Sequence, residues 1–172
     1  MTTRAFGTTP AGTITKEQTL LSIARLPVSA GLKITAGQVL CLDAATGYLI
    51  VRTAALVDVE NFVALADTDN TGGISGALSC PLAVRGHYVT VVADGVINPG
   101  DYVKAGSDND GQVQRFIPGT DDRNLLVGLY TGKEGGKISK ATTTPYLESF
   151  TDQADFIPVA CAEGDVIEVR LI

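Results

Sequence analysis

Two stretches of this chain, "ITAGQVLCLDAATGYLIV" from Ile34 and "INPGDYVKAGSDNDGQVQRF" from Ile97, spell the same succession of turn, strand, glycine-marked turn and second strand. Setting Gly111 on Gly47 also sets Val127 on Val63, Leu129 on Leu65, Ile138 on Ile74 and Pro145 on Pro81, all 64 residues apart (111 − 47, 127 − 63, 145 − 81). Self-similarity at a fixed spacing constrains architecture more than any single motif, because each copy must build the same supersecondary unit. Ile34 and Gly37 match Ile97 and Gly100 with a shift of one. The closing "AEGDVIEVRLI" answers "VRGHYVTVVADG" near Gly86 if the second copy carries about 14 extra residues (164 − 86 = 78, against 64), within "YLESFTDQADFIPVACA". The organisation expected is an extended N-terminal arm, residues 1–15, before a β-rich domain, residues 16–172, holding two repeats at about 34–96 and 97–172.

Within each copy, short runs of Val, Ile, Leu and Tyr are punctuated by Gly, Pro, Asn and Asp at the spacing of all-β proteins. "Pro-Gly-Asp" at Pro99–Asp101 suits a tight turn, since proline fixes φ at one position and glycine accepts positive φ at the next. "DNDGQV" closes a hairpin by the same logic, with Gly111 as its left-handed residue. The fold expected is all-β, a small barrel or sandwich built from the duplicated turn-strand unit. Helix is confined to two candidates, "AALVDVENF" with apolar Leu56, Val59 and Val63 near helical spacing, and "YLESFTDQADF" after Pro145.

The chain has 172 residues, enough for one well-buried core or two very small ones. Its net charge of −6 opposes a phosphate-backbone partner, so nucleic acid is not expected. Cys41, Cys80 and Cys161 are odd in number and far apart, which writes neither a disulfide framework nor a CxxC metal site. They read as buried free thiols of a chain made in a reducing cytoplasm. No apolar run reaches the ~18 residues of a membrane span, and "MTTRAFGTTPAGT" has no apolar leader core.

Catalytic motifs are sparse. His87, the single histidine, sits in "RGHYVTVV", where a structural strand residue is the ordinary reading. "DTDNTGG" imitates the opening of a calcium loop with Asp67, Asp69 and Thr71, but its twelfth position is Leu78 rather than a bidentate carboxylate. Its counterpart "TGKEGG" keeps neither aspartate, so the stretch reads as an Asx-rich turn. "GTDDRN" sets Asp121 and Asp122 beside Arg123 on a loop, a solvated turn rather than an acid–base pair. "GDYVKAG", with "GDVIEV" later, is similar to the hairpin barrels that carry biotin or lipoate on a lysine, but those display the lysine at a hairpin tip, whereas Lys104 alternates with Val103 within an expected strand. No catalytic residue, metal or cofactor is therefore expected.

The order "FVALADTD", "VTVVADGVINPGDYVKAGSDNDGQV", "LLVGLYTG" and "GDVIEVRLI" resembles the small capsid decoration, or cement, proteins of tailed bacteriophages, over about Phe62–Ile172. The resemblance implies a β-rich knob, often a homotrimer, that binds the major capsid protein on the outer face of a phage head and strengthens it, with no catalysis. It implies residence in the virion, on the capsid surface, after synthesis in the host cytoplasm. The stretch Tyr146–Ala160 and the long N-terminal region depart from the shorter members of that family. A tail or fibre component is the alternative, and a biotin- or lipoyl-type carrier a third. Capsid attachment is expected of the arm, with Phe6 as anchor and Arg4 as its early cation, through strand addition to a capsid sheet edge.

Overall fold

A computed structural model describes residues 10–16, 23–56, 59–107, 110–134 and 160–172. It is all-β. In chain order the strands are β1 (Ile14–Lys16), β2 (Ala24–Pro27), β3 (Lys33–Ile34), β4 (Val39–Leu42), β5 (Leu49–Val51), β6 (Phe62–Ala64), β7 (Thr68–Asp69), β8 (Ser79–Ala83), β9 (Tyr88–Val92), β10 (Tyr102–Ala105), β11 (Val113–Arg115), β12 (Leu126–Glu134) and β13 (Val166–Leu171). A 3-10 turn, Arg123–Leu125, precedes β12.

Local chemistry explains the hairpins. Gly47 (φ 72°) and Gly111 (φ 77°) take the left-handed conformation that turns β4 into β5 and β10 into β11. The helix considered for "AALVDVENF" does not form in its described residues: Ala54 and Ala55 turn, and Val59–Asn61 run irregularly into β6. Successive Phe62, Val63 and Ala64 are all buried, so period-two packing against both sides of a sheet overrides a weak helical spacing. The second candidate, "YLESFTDQADF", lies outside the described residues.

The repeat is written into the sheets. The first sheet has the strand order β2-β8-β6-β4-β5 and the second β1-β9-β13-β12-β10-β11, while β3 and β7 of the first copy pair in a small two-stranded sheet, and every named ladder is antiparallel. Leaving out β1, each sheet uses its own five strands in the same arrangement: the first of the five beside the last, then fourth, second and third. Individual hydrogen bonds are duplicated too. Ser29 N–H donates to Leu49 O (3.2 Å) as Asp94 N–H does to Val113 O (2.7 Å), and Gly76 N–H donates to Val28 O (2.9 Å) as Gly164 N–H does to Ala93 O (2.8 Å). Arg52 N–H donates to Val39 O (2.9 Å) as Phe116 N–H does to Tyr102 O (2.8 Å).

These equivalences amend the alignment read from sequence. The counterpart of β13 is β8; β9, which resembles β13 in sequence, is its antiparallel neighbour, with Thr90 opposite Glu168. The copies therefore meet in the turn Val84–His87, closed by His87 N–H to Val84 O at 3.1 Å. The bonds of Ala64 N–H to Gln38 O and Tyr130 N–H to Asp101 O, both 3.0 Å, equate Ala64 with Tyr130 (130 − 64 = 66). Val63 and Leu65 thus correspond to positions two beyond Val127 and Leu129. Gly76 and Gly164 are 88 apart (164 − 76), so the extra length between the fourth and fifth strands of the second copy is 22 residues (88 − 66).

Each sheet curls until its outermost repeat strands touch at one corner, through the parallel bridges Val28↔Leu49 and Ala93↔Val113. Single bridges do not make a ladder, and the result is sandwich-like rather than a closed barrel. One apolar cluster is lined by Val89, Val91, Val103, Val127, Tyr130, Ile167 and Val169 of the second sheet, and Val39, Val63 and Ala83 of the first sheet complete it. The opposite face of the first sheet has its own cluster, Leu40, Leu49, Phe62, Ala64 and Leu82 with Val28 and Ile34.

The N-terminal boundary also moves. Gly12 N–H donates to Thr90 O (2.7 Å) and Thr90 N–H to Thr13 O (2.9 Å), which fastens residues 10–16 to the outer edge of β9. Thr90 Oγ1 donates to Pro10 O at 2.6 Å and accepts from Thr13 N–H at 2.8 Å. A Cβ on Gly12 would stand 2.5 Å from Ala64 O and 2.7 Å from Gly37 N, so this segment is pressed between both sheets. The described body thus already includes Pro10, six residues before the expected start of the β-rich domain at residue 16 (16 − 10).

Candidate interaction surface

Polar side chains that the sequence made candidates for chemistry are held in structural roles. His87 is buried, and its Nδ1 lies 3.0 Å from Val84 N and 3.2 Å from Val84 O, contacts that brace the turn between the copies. Asp67 Oδ1 accepts Ala36 N–H at 2.8 Å. Asp69 Oδ1 accepts from the Thr71 hydroxyl (2.6 Å) and N–H (3.1 Å), an Asx turn, and the hydroxyl bond, ahead of the backbone bond, holds its carboxyl below the ordinary value. Next to Asp69, Asn70 is buried and its amide donates to Ser29 O and Ile74 O, both at 3.0 Å. The calcium-like stretch is a turn that ties β7 to the start of the first copy. No group of three or more His, Cys, Asp or Glu side chains that could hold a metal stands together among the described residues.

Lys104 projects from the middle of β10 and donates to Asp121 Oδ1 at 2.6 Å, while Asp121 Oδ2 accepts Ile117 N–H at 2.7 Å. The ammonium, first among several causes, holds the Asp121 carboxyl below its ordinary value. "GTDDRN" is thereby a strapped loop: Asp121 anchors it, and Asp122 caps the 3-10 turn by accepting Asn124 N–H at 3.0 Å. Cys41, Cys80 and Cys161 are buried, and burial pushes the Cys41 and Cys80 thiols up. Arg4 and Phe6 lie outside the described residues.

Sequence reasoning passed over Arg52. Fully buried, it donates from Nε to Asn61 Oδ1 (3.0 Å), from one terminal nitrogen to Thr53 O (2.5 Å) and from the other to Asn124 O (3.1 Å). Asn61 passes its own amide to Leu126 O at 2.7 Å. This network sews the first sheet to the 3-10 turn of the second copy. Above it opens a shallow groove between the copies, walled by Glu60, Asn61, Arg85, Arg123, Leu126 and Ile172. The groove continues past Arg123 to a more apolar hollow beside Tyr102, Phe116 and Pro118. Exposed Tyr102 and Ile172 border it. Arg85 and Arg123 form no ion pair among the described residues, and with Glu60 on the same walls the groove is a surface of mixed charge with apolar patches. No signal in sequence marks it, because its walls come from five separated segments.

No helix among the described residues is long and apolar enough to cross a membrane, which leaves β-barrel insertion unaddressed. No family model and no curated protein matches the chain.

Proposed function

We propose that this protein is a structural component of a phage particle, a decoration protein that binds the major capsid protein on the outer surface of the head and stabilises it without catalysis. The observation that carries the reading is how the polar residues are used. His87, Asp67, Asp69, Asn70, Lys104, Asp121 and Arg52 each hold a turn or a seam, in a body of two equivalent sheets that offers edges and shallow relief. Such a body suits binding by area. The sequence resemblance to cement proteins supports the same reading. Physically, a protein that binds the closed shell and not its loosened form shifts the equilibrium toward the closed shell by mass action, and many copies per particle multiply modest contacts. A homotrimer is the assembly proposed, since closed cyclic symmetry is the common solution for a protein of this kind. The carrier alternative is disfavoured by Lys104, which lies within β10 in an ion pair with Asp121.

The test is co-sedimentation of purified protein with mature heads stripped of decoration, followed by averaged imaging of the decorated particles. The expected result is saturable, regularly spaced density on the outer surface and heads that withstand a higher temperature. Absence of binding to heads, with binding instead to purified tails, would move the protein to the tail or fibre reading.

A further inference from the structure

The duplication supplies an internal comparison of two sheet edges. Thr90 at the centre of β9 turns its N–H and carbonyl away from β13, and both are taken by the segment Gly12–Thr13. The duplicated bonds of Val28 and Ala93 set the offset along this strand at 65 (93 − 28), so the position equivalent to Thr90 is Arg25 (90 − 65) in β2. Arg25 has the same backbone orientation. It lies opposite Pro81, which has no N–H, and Pro81 O is already turned toward β6, where it accepts Leu65 N–H at 2.9 Å. In an antiparallel ladder a residue opposite such a partner directs both its polar groups outward. Apart from the corner where Val28 and Ser29 meet Leu49, just past the end of β2, no described residue pairs with that outer edge.

We infer that the outer edge of β2, centred on Arg25, is a docking site for an extended segment of the capsid protein, added as a strand in the place that β1 fills on the sister edge. The inference rests on the decoration reading. The site is short by construction: Pro27 offers no N–H, so the incoming strand is centred on one residue, as β1 is on Thr90. Side chains on the outer face state what fits. Exposed Arg25 forms no ion pair among the described residues, and Ile23, two positions before it on the same face, is 52% exposed. A segment carrying a carboxylate beside Arg25 and an apolar residue over Ile23 complements that pattern. A second copy fits badly, because antiparallel pairing of two β2 edges about a two-fold axis brings Arg25 against Arg25.

Amide hydrogen exchange and binding to stripped heads test the site together. In the free protein the Arg25 amide exchanges fast at every concentration, and on heads it slows at least about 100-fold. Arg25→Glu weakens head binding at least about 10-fold, and Arg25→Pro, which removes the outward N–H while sparing the bonds of Ala24 and Leu26 to β8, weakens it further. Arg170→Glu, an exposed charge reversal on the second sheet, binds as wild type. Should Arg25→Pro fail to fold, Arg25→Glu and the exchange of the wild-type amide still decide. Wild-type affinity in Arg25→Glu, or an Arg25 amide that stays fast on decorated heads, overturns the edge while leaving decoration intact. Protection that grows with concentration in the protein alone overturns it in favour of a second copy. Failure of the wild type to bind heads at all removes the decoration reading and the edge with it.

Discussion

Arg52 shows how a single side chain can hold two copies of a fold together. Its fork serves three acceptors, one of them on the 3-10 turn of the other copy, in a site without water access. Arg52→Ala leaves Asn61 Oδ1 and two carbonyls without their donor, and we expect a loss of about 3 kcal/mol, read as a lower urea midpoint at unchanged slope. Arg52→Lys is expected to recover only part of it, since an ammonium cannot span the same three acceptors. Acid acts at different residues. The Thr46 hydroxyl lowers Asp43, the Thr71 hydroxyl lowers Asp69 and the Lys104 ammonium lowers Asp121. A carboxyl depressed in the folded state binds fewer protons there than in the unfolded chain. Its contribution is therefore complete above the ordinary carboxylate value, about pH 4, and is lost as pH falls through the depressed one. Thermal melts should superimpose from pH 7 to about pH 5 as far as these groups are concerned and drop below about pH 4. Asp121→Asn should flatten part of that drop, because Asp121 is the partly buried member with a cationic partner.

At the scale of elements, β1 carries the clearest expectation. Deleting residues 1–13 removes Gly12 and Thr13 from the edge of β9 and the carbonyl of Pro10 from Thr90 Oγ1. Reading residues 1–15 as a free arm implies an unchanged melting curve for that truncation. The hydrogen bonds of residues 10–13 imply a lower midpoint, whereas deletion of residues 1–9 alone spares every bond named here. Melting the two truncations side by side separates these outcomes. Gly12→Ala should reproduce most of the loss, about 1–3 kcal/mol, by combining positive φ (77°) with the contact to Ala64 O. The β1 edge was illegible in "PAGTITK" because its partner lies about 75 residues away and pairing leaves no local pattern (89 − 14). The hairpins at Gly47 and Gly111 were legible because a left-handed turn is chosen by the residue that occupies it. The two-residue slip in the fourth strand was hidden, for Val and Leu recur every second residue, and the register shift between Val103 and Lys104 takes up one of the two residues. β9 passed for the counterpart of β13 because both alternate valine, although sheet neighbours and repeat equivalents make the same pattern. Of the surface proposed for docking, only the charge of Arg25 was visible; that its backbone faces outward follows from Pro81 across the ladder. Arg52, at the end of "YLIVR", reads as a solvated residue closing a strand.

For the whole molecule, the decisive feature is that the first sheet completes the core of the second. Val39, Val63 and Ala83 leave the first copy to join a cluster otherwise belonging to the second. We expect one cooperative transition by circular dichroism and by calorimetry, with a β-type spectrum, and a fragment of residues 85–172 that does not fold alone. Val63→Ala should cost about 2 kcal/mol and lower the single midpoint without splitting it. Two resolved transitions would mean that the copies behave as separate domains. The strand order has a further consequence on the ribosome. β13, the last strand described, lies between β9 and β12 in the middle of its sheet, and β1, the first, cannot pair until β9 has been made. At about 5–20 residues per second, Ile14 waits roughly 4–15 s for Val89, and β9 waits in turn for β13. A chain released before residue 166 therefore lacks the centre of the second sheet rather than a dispensable rim. Synthesis thus discriminates between finished and unfinished copies, and only finished copies acquire the second sheet.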